Sequence, residues 1–199
     1  MLKKYINNKY LNDKNLKSKF RSNKPFQHLV LDEFFNYDFI SKVYLELKEE
    51  NFDDKESDLF SFSQTLDLVS TKNKTLNLFY NIINSDEFKE YLFNITGIKA
   101  FGKIDASGFI YSNCDYLLPH DDRLENRKIA YVLNLSKDFV KLGGGSLDFF
   151  NKNKIVKSIY PKFNTFTIFK VINGKTFHQV SEVLSDKKRI SIAGWFNDK

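Results

Sequence analysis

The chain has 199 residues, of which 42% are hydrophobic and 16% aromatic, enough apolar mass for one domain with a substantial core. No apolar run reaches spanning length and no hydrophobic leader segment is present, so neither membrane spanning nor secretion is expected. A single cysteine, Cys114, excludes an intramolecular disulfide framework and fits a reducing cytosol; its apolar, aromatic surroundings read as those of a small core residue.

The net charge of +6 is unevenly placed. Residues 1–24 carry eight Lys and Arg against Asp13 alone, which leaves 23 basic and 24 acidic residues in the rest of the chain. The segment reads as a basic N-terminal arm, a solvated leader, and residues 25–199 as a single neutral domain. Nucleic acid, an acidic partner or a membrane surface are the contacts such an arm could make.

Beyond the arm, "KPFQHLVLDEFF" predicts a strand over 26–31, and "YDFISKVYLELKEE" has apolar residues at helical spacing. "KTLNLFYNII" and "SDEFKEYLFNITG" predict two further helices, the second starting at Ser85 and stopping at Gly97. Residues 36–97 therefore read as a helical support layer. After Gly97, about eight short aromatic or β-branched runs separated by turn residues predict a β-rich core over 98–199, a sandwich or barrel of the jelly-roll type. "GGG" at 143–145 lacks the Lys-Ser/Thr of a phosphate loop and reads as a turn. The stretch 57–72 reads equally as a substrate lid or as a solvated strand and turn.

The chemistry concentrates in "YLLPHDDRLENRK". In extended backbone His120 and Asp122 would point the same way and offer an imidazole and a carboxylate to one cation, with Asp121 facing away. By itself Pro-His-Asp-Asp is also turn chemistry. Downstream, "FHQVSEV" adds His178, and two histidines with one carboxylate form the facial set that leaves three positions open on Fe(II). A lone histidine amid apolar residues is more often a hydrogen-bonded core residue; with His120 and Asp122 the ligand reading is the better one. "RISIAGWF" places Arg189 and Ser191 two apart on a predicted strand, a guanidinium and a hydroxyl on one face that could clamp the distal carboxylate of 2-oxoglutarate. Arg189 could otherwise be half of a surface ion pair, and Trp195 reads as a core or pocket-flanking residue.

At these residues the chain resembles the prolyl hydroxylase group of Fe(II)/2-oxoglutarate dioxygenases, most closely the branch of the ribosomal-protein prolyl hydroxylases. The resemblance runs from "KPFQHLVLDEFF" through "YLLPHDD", "GGGSLDFF" and "TFHQVSEV" to "RISIAGWF". It implies a double-stranded β-helix (a cupin-like jelly roll), iron held by His120, Asp122 and His178, and 2-oxoglutarate held by Arg189 with Tyr111. At Asn134, relatives often place a second cosubstrate-contacting tyrosine, so that contact is altered here. Fe(II), 2-oxoglutarate and O2, with ascorbate as reductant, are the implied cofactors and cosubstrates, and a proline-containing protein or peptide is the implied partner.

Asp122 in the third ligand place leaves no vacancy for halide, which favours hydroxylation over halogenation. Trp195 stands where DNA-repair demethylases of the same superfamily carry a second arginine, which disfavours nucleic-acid demethylation. Hydroxylation of a free amino acid or other small molecule is the main alternative, and a non-enzymatic scaffold the lesser one. The sequence carries no signal for an oligomeric state.

Overall fold

The structure, a computed structural model, describes residues 1–122, 124 and 126–198. Five α-helices and eleven strands are found among them, besides three short 3-10 turns: α1 (Asn8–Leu11), α2 (Leu16–Ser22), β1 (His28–Asp32), α3 (Tyr37–Leu47), β2 (Asp53–Ser57), β3 (Phe60–Gln64), α4 (Lys74–Ile83), α5 (Asp86–Thr96), β4 (Ile104–Tyr111), β5 (Tyr116–His120), β6 (Arg127–Asn134), β7 (Leu147–Asn151), β8 (Lys154–Ile159), β9 (Thr165–Lys170), β10 (His178–Val180) and β11 (Arg189–Asn197).

The two helices expected after residue 73 form where their end signals lie. Asn73 accepts from the backbone N–H groups of Thr75 and Leu76, and Ser85 from that of Phe88, satisfying donors that the first helical turn leaves free. Gly97 ends α5 in the left-handed conformation at φ 73°. The layer over 36–97 is not wholly helical, because β2 and β3 form a hairpin inside it. Their sequence DDKESDLFSFSQ lacks the helical spacing of apolar residues that the flanking segments have.

All strand pairings are antiparallel, and the strand order is β1-β9-β6-β11-β4-β3-β5-β10-β7-β8, with β2 added to β3. The sheet curls into a jelly roll with β1-β9-β6-β11-β4 as the larger half and β5-β10-β7-β8 as the smaller. β3 joins them: Ser63 and Gln64 pair with β4, whereas Phe60 and Ser61 pair with β5. The stretch 57–72 thus contains the joining strand.

The helices cover the larger half through a core rich in phenylalanine. Phe34, Phe35, Phe79, Phe88, Phe166 and Phe196 are all buried, and Phe34 stacks on Phe166 with centroids 4.7 Å apart. Each such side chain contributes about 1.5–3 kcal/mol on burial.

The solvated arm is corrected by the structure. Leu2, Ile6, Leu16 and Phe20 are buried in this same core, Ile6 bridges to Phe35, and the Asn7 N–H donates to the Phe34 carbonyl. Two i, i+4 apolar pairs set among lysines suffice to dock the segment; charge composition alone does not register them. Cys114 is also corrected: it is exposed, in the turn between β4 and β5, at φ 70°. Among the described residues no helix is long and apolar enough to cross a membrane.

Candidate active site

The curl of the sheet encloses a cavity of about 300 Å³ whose lining includes His120, Asp122, His178, Tyr111, Arg189 and Ser191. The site residues expected from the sequence thus come together, with the exception of Asn134, which is buried in β6 opposite Ser191 but does not line the cavity.

His120 ends β5 and His178 begins β10, and the two are paired directly across the strands. Asp122 joins them by a different route from the one expected. β5 stops at His120, and Asp122 adopts φ 60°, so the pair is brought together by a turn and not by alternation along an extended strand. Asp tolerates the left-handed region better than most residues. One Asp122 oxygen lies 3.5 Å from His120 Nε2 and the other 3.3 Å from His178 Nε2. Two ligands at right angles on an ion about 2.1 Å away would be separated by roughly 3 Å, so the spacing suits one first-row divalent ion.

The tautomers suit it as well. The Nδ1 of each histidine lies 2.9 Å from the carbonyl two residues back, Leu118 for His120 and Thr176 for His178. Donation through Nδ1–H leaves the Nε2 lone pair for a metal. Burial lowers the His178 pKa to about 4, against the opposing pull of Asp122, which keeps the ring neutral and able to ligate. Asp121 faces away from this set, as expected, but it is buried: its carboxylate accepts from the Gly174 N–H at 2.6 Å and ties the turn to the loop before His178.

Arg189 and Ser191 share a face of β11, with Arg189 Nη1 donating to Ser191 Oγ at 3.2 Å. Arg189 is 2% exposed, and no anion holds it among the described residues; its Nε has no hydrogen-bond partner. A buried cation with spare donors is costly unless a ligand completes it. Tyr111 is its cross-strand partner on β4, and the guanidinium carbon sits 4.8 Å from the Tyr111 ring centroid. Burial pushes the Tyr111 pKa up to about 12, with Arg189 opposing, so its hydroxyl stays protonated and can donate.

Gly145 serves this corner as more than a turn residue. At φ 62° it favours glycine, and a Cβ there would stand 3.2 Å from Arg189 Cδ.

Sequence reasoning missed Arg127. It lies at the start of β6 with its guanidinium carbon 3.3 Å from the Trp195 ring centroid, and Nη1 is 4.0 Å from Asp122 Oδ1. Both residues line the cavity, and Arg127 Nε and Trp195 Nε1 are buried donors without partners. No spacing rule links residues 127 and 195; the pairing of β6 with β11 does, placing Trp195 opposite Ala130. The remaining wall is mostly apolar and includes Phe60, Phe62, Leu117 and Val180, with Gln64 as a polar member.

Residues 106–197 match the 2OG-Fe(II) oxygenase superfamily. The prolyl 3-hydroxylase OGFOD1 of Xenopus laevis is 39% identical over 87% of this chain and 35% of its own length. The prolyl 3,4-dihydroxylase OGFOD1 of Ostreococcus tauri is 32% identical over 88% of this chain and 38% of its own. The chain therefore spans little more than a third of these relatives. Among solved structures, a Pseudomonas putida prolyl-4-hydroxylase superposes with a TM-score of 0.75 at 14% identity, covering 93% of this chain and all of that one, a likeness of fold.

Proposed function

The chain belongs to the 2OG-Fe(II) oxygenase superfamily, and from that premise we propose that it hydroxylates a prolyl residue of a protein or peptide, consuming 2-oxoglutarate and O2 and releasing succinate and carbon dioxide. The observation that carries the reading is the union in one cavity of the His120, Asp122 and His178 donor set with the buried, incompletely bonded Arg189. Two imidazoles and one carboxylate occupying a single face fit Fe(II) with positions left for the cosubstrate and oxygen.

When bound, Fe(II) supplies the oxidising chemistry that exchanges a substrate C–H bond for C–OH, with ascorbate as a reductant that maintains the ferrous state. The chain supplies position. His120, Asp122 and His178 hold the ion, with Nδ1–H donation to Leu118 and Thr176 fixing the two rings. Arg189 and Ser191 receive the distal carboxylate of 2-oxoglutarate, and the protonated Tyr111 hydroxyl donates to it. Asn134, buried on the neighbouring strand, backs this corner in place of a tyrosine. The apolar wall around Phe62 and Val180 excludes water. Arg127 and Trp195 flank the reacting side chain, their unpaired N–H groups offering donors to substrate carbonyls.

A cavity of about 300 Å³ lies at the small end of ligand pockets. Once 2-oxoglutarate is seated, a side chain reaching in from a polypeptide fits better than a whole metabolite. The relatives named prolyl hydroxylases support the same choice. A cytosolic site of action suits the lone, exposed Cys114.

The test is anaerobic loading with Fe(II), then aerobic incubation with 2-oxoglutarate and either proline-containing peptides and lysate proteins or free amino acids. A mass increase of one oxygen at proline is the expected result. Hydroxylation of free amino acids alone would replace the polypeptide reading with the metabolite one.

A further inference from the structure

The basic segment is folded, so its charges occupy fixed places. Lys14, from the turn before α2, and Lys17, Ser18, Arg21 and Ser22, from α2 itself, line one shallow depression. Lys14, Lys17 and Arg21 fall at intervals of three and four, which puts them on one helix face. The neighbouring cations of the segment are neutralised differently: Lys9 pairs with Glu33, and Lys19 with Asp13 on the other side of α2. None of Lys14, Lys17 and Arg21 has such a pair among the described residues.

Lys17 and Arg21 reach toward Gly97, where the free carbonyls at the end of α5 attract cations. A helix terminus offsets about half an elementary charge, far short of three. Like charges at this spacing destabilise an isolated helix by a few tenths of a kcal/mol per pair, so the face is left with an excess that an external anion would relieve.

The composition of the face selects the anion. Protein partners of high affinity engage aromatic or aliphatic anchors, and stable membrane binding takes an inserted apolar group beside a basic patch, which alone contributes only about 1 kcal/mol per Lys or Arg. The lining of the depression includes no apolar side chain. Lysine, arginine and serine without an apolar anchor are what a nucleic-acid backbone meets. We propose that the Lys14, Lys17 and Arg21 face binds the phosphate backbone of a single-stranded nucleic acid without regard to sequence. α2 packs on α5 and on β1, and no residue lining the depression also lines the cavity.

The test is fluorescence anisotropy of the full chain with a fluorescein-labelled 20-nucleotide oligo(U). Engagement of three phosphates predicts a Kd that rises about twentyfold between 50 and 200 mM KCl. Lys14→Ala/Lys17→Ala/Arg21→Ala should weaken binding at 50 mM at least tenfold with unchanged circular dichroism. Lys14→Glu/Lys17→Glu, which leaves Arg21 at Gly97, should do the same. The control Lys152→Ala/Lys154→Ala/Lys175→Ala removes equal charge from around the β7–β8 turn and the loop before β10 and should bind as wild type. No binding by the wild type, retention by the first two variants, or equal loss in the control would overturn the proposal. So would equal or tighter capture by polyglutamate or by phosphatidylserine vesicles, which would assign the face to an acidic protein or a membrane.

Discussion

His178 lies directly opposite His120 across the antiparallel pair β10 and β5, with the ring centroids 4.2 Å apart. Because strand side chains alternate, a one-residue slip in this register would turn one imidazole out of the cavity. The metal set is therefore a property of strand pairing, completed by the turn that carries Asp122.

His178→Ala and Asp122→Ala should each weaken Fe(II) binding at least a hundredfold and abolish 2-oxoglutarate turnover. Anaerobic calorimetry with Fe(II), paired with succinate detection, measures both. Retention of affinity in Asp122→Ala would give the third ligand place to another group.

Asp121→Ala should act on stability. The substitution removes the hydrogen bond from the Gly174 N–H to the Asp121 carboxylate, a bond to a charged acceptor worth about 1.5–3 kcal/mol, read as a lower Tm of the metal-free protein. Iron affinity should fall much less than in Asp122→Ala. Equal loss of iron in the two variants would mean that Asp121 belongs to the metal set.

Arg189→Ala should raise the 2-oxoglutarate requirement steeply, since it removes a charge-assisted contact worth roughly 2–5 kcal/mol when buried. Arg189→Lys should fall between, because an ammonium lacks the bidentate fork. Fe(II) titration should be unchanged in both. An unaltered 2-oxoglutarate dependence in a folded Ala variant would remove Arg189 from the cosubstrate site.

These side chains show which parts of the molecule the sequence makes legible. Ser85 and Gly97 mark the ends of α5 because capping is local. His120, Asp122 and His178 are legible as residue types in an order, yet the expected extended geometry at Asp122 is replaced by a left-handed turn. The Arg127 contact with Trp195 spans 68 positions and exists only through strand pairing, so no local pattern announces it. At residues 1–24 the conspicuous lysines mask the four apolar side chains that decide packing.

Those four provide a further check. Phe20 is fully buried, and Phe20→Ala should destabilise the chain by about 3–5 kcal/mol, seen as a lower urea midpoint. A solvated leader would tolerate the change with no shift.

His28, the third histidine, gives a pH test outside the metal set. Burial lowers its pKa below the ordinary 6.5, opposed by its bond to the Phe26 carbonyl. The unfolded chain then binds a proton more readily than the folded one, so the His28 contribution is present above pH 6.5 and is lost as pH falls below it. His28→Phe should flatten the decline in urea midpoint between pH 7 and 5 in metal-free protein. An identical slope in the variant would show that His28 titrates alike in both states.

β3 is hydrogen-bonded to one half of the roll through Ser63 and Gln64 and to the other through Phe60 and Ser61, while Phe60 and Phe62 line the cavity. Among the described residues it is the seam between the halves, so peeling it away would unroof the cavity while each half kept its own ladder. Backbone amides of β3 should then exchange with deuterium sooner than those of β6 and β11, and occupancy of the cavity by 2-oxoglutarate should slow the seam selectively. Access for a polypeptide would be governed by how often five residues let go, a local opening far cheaper than unfolding the roll.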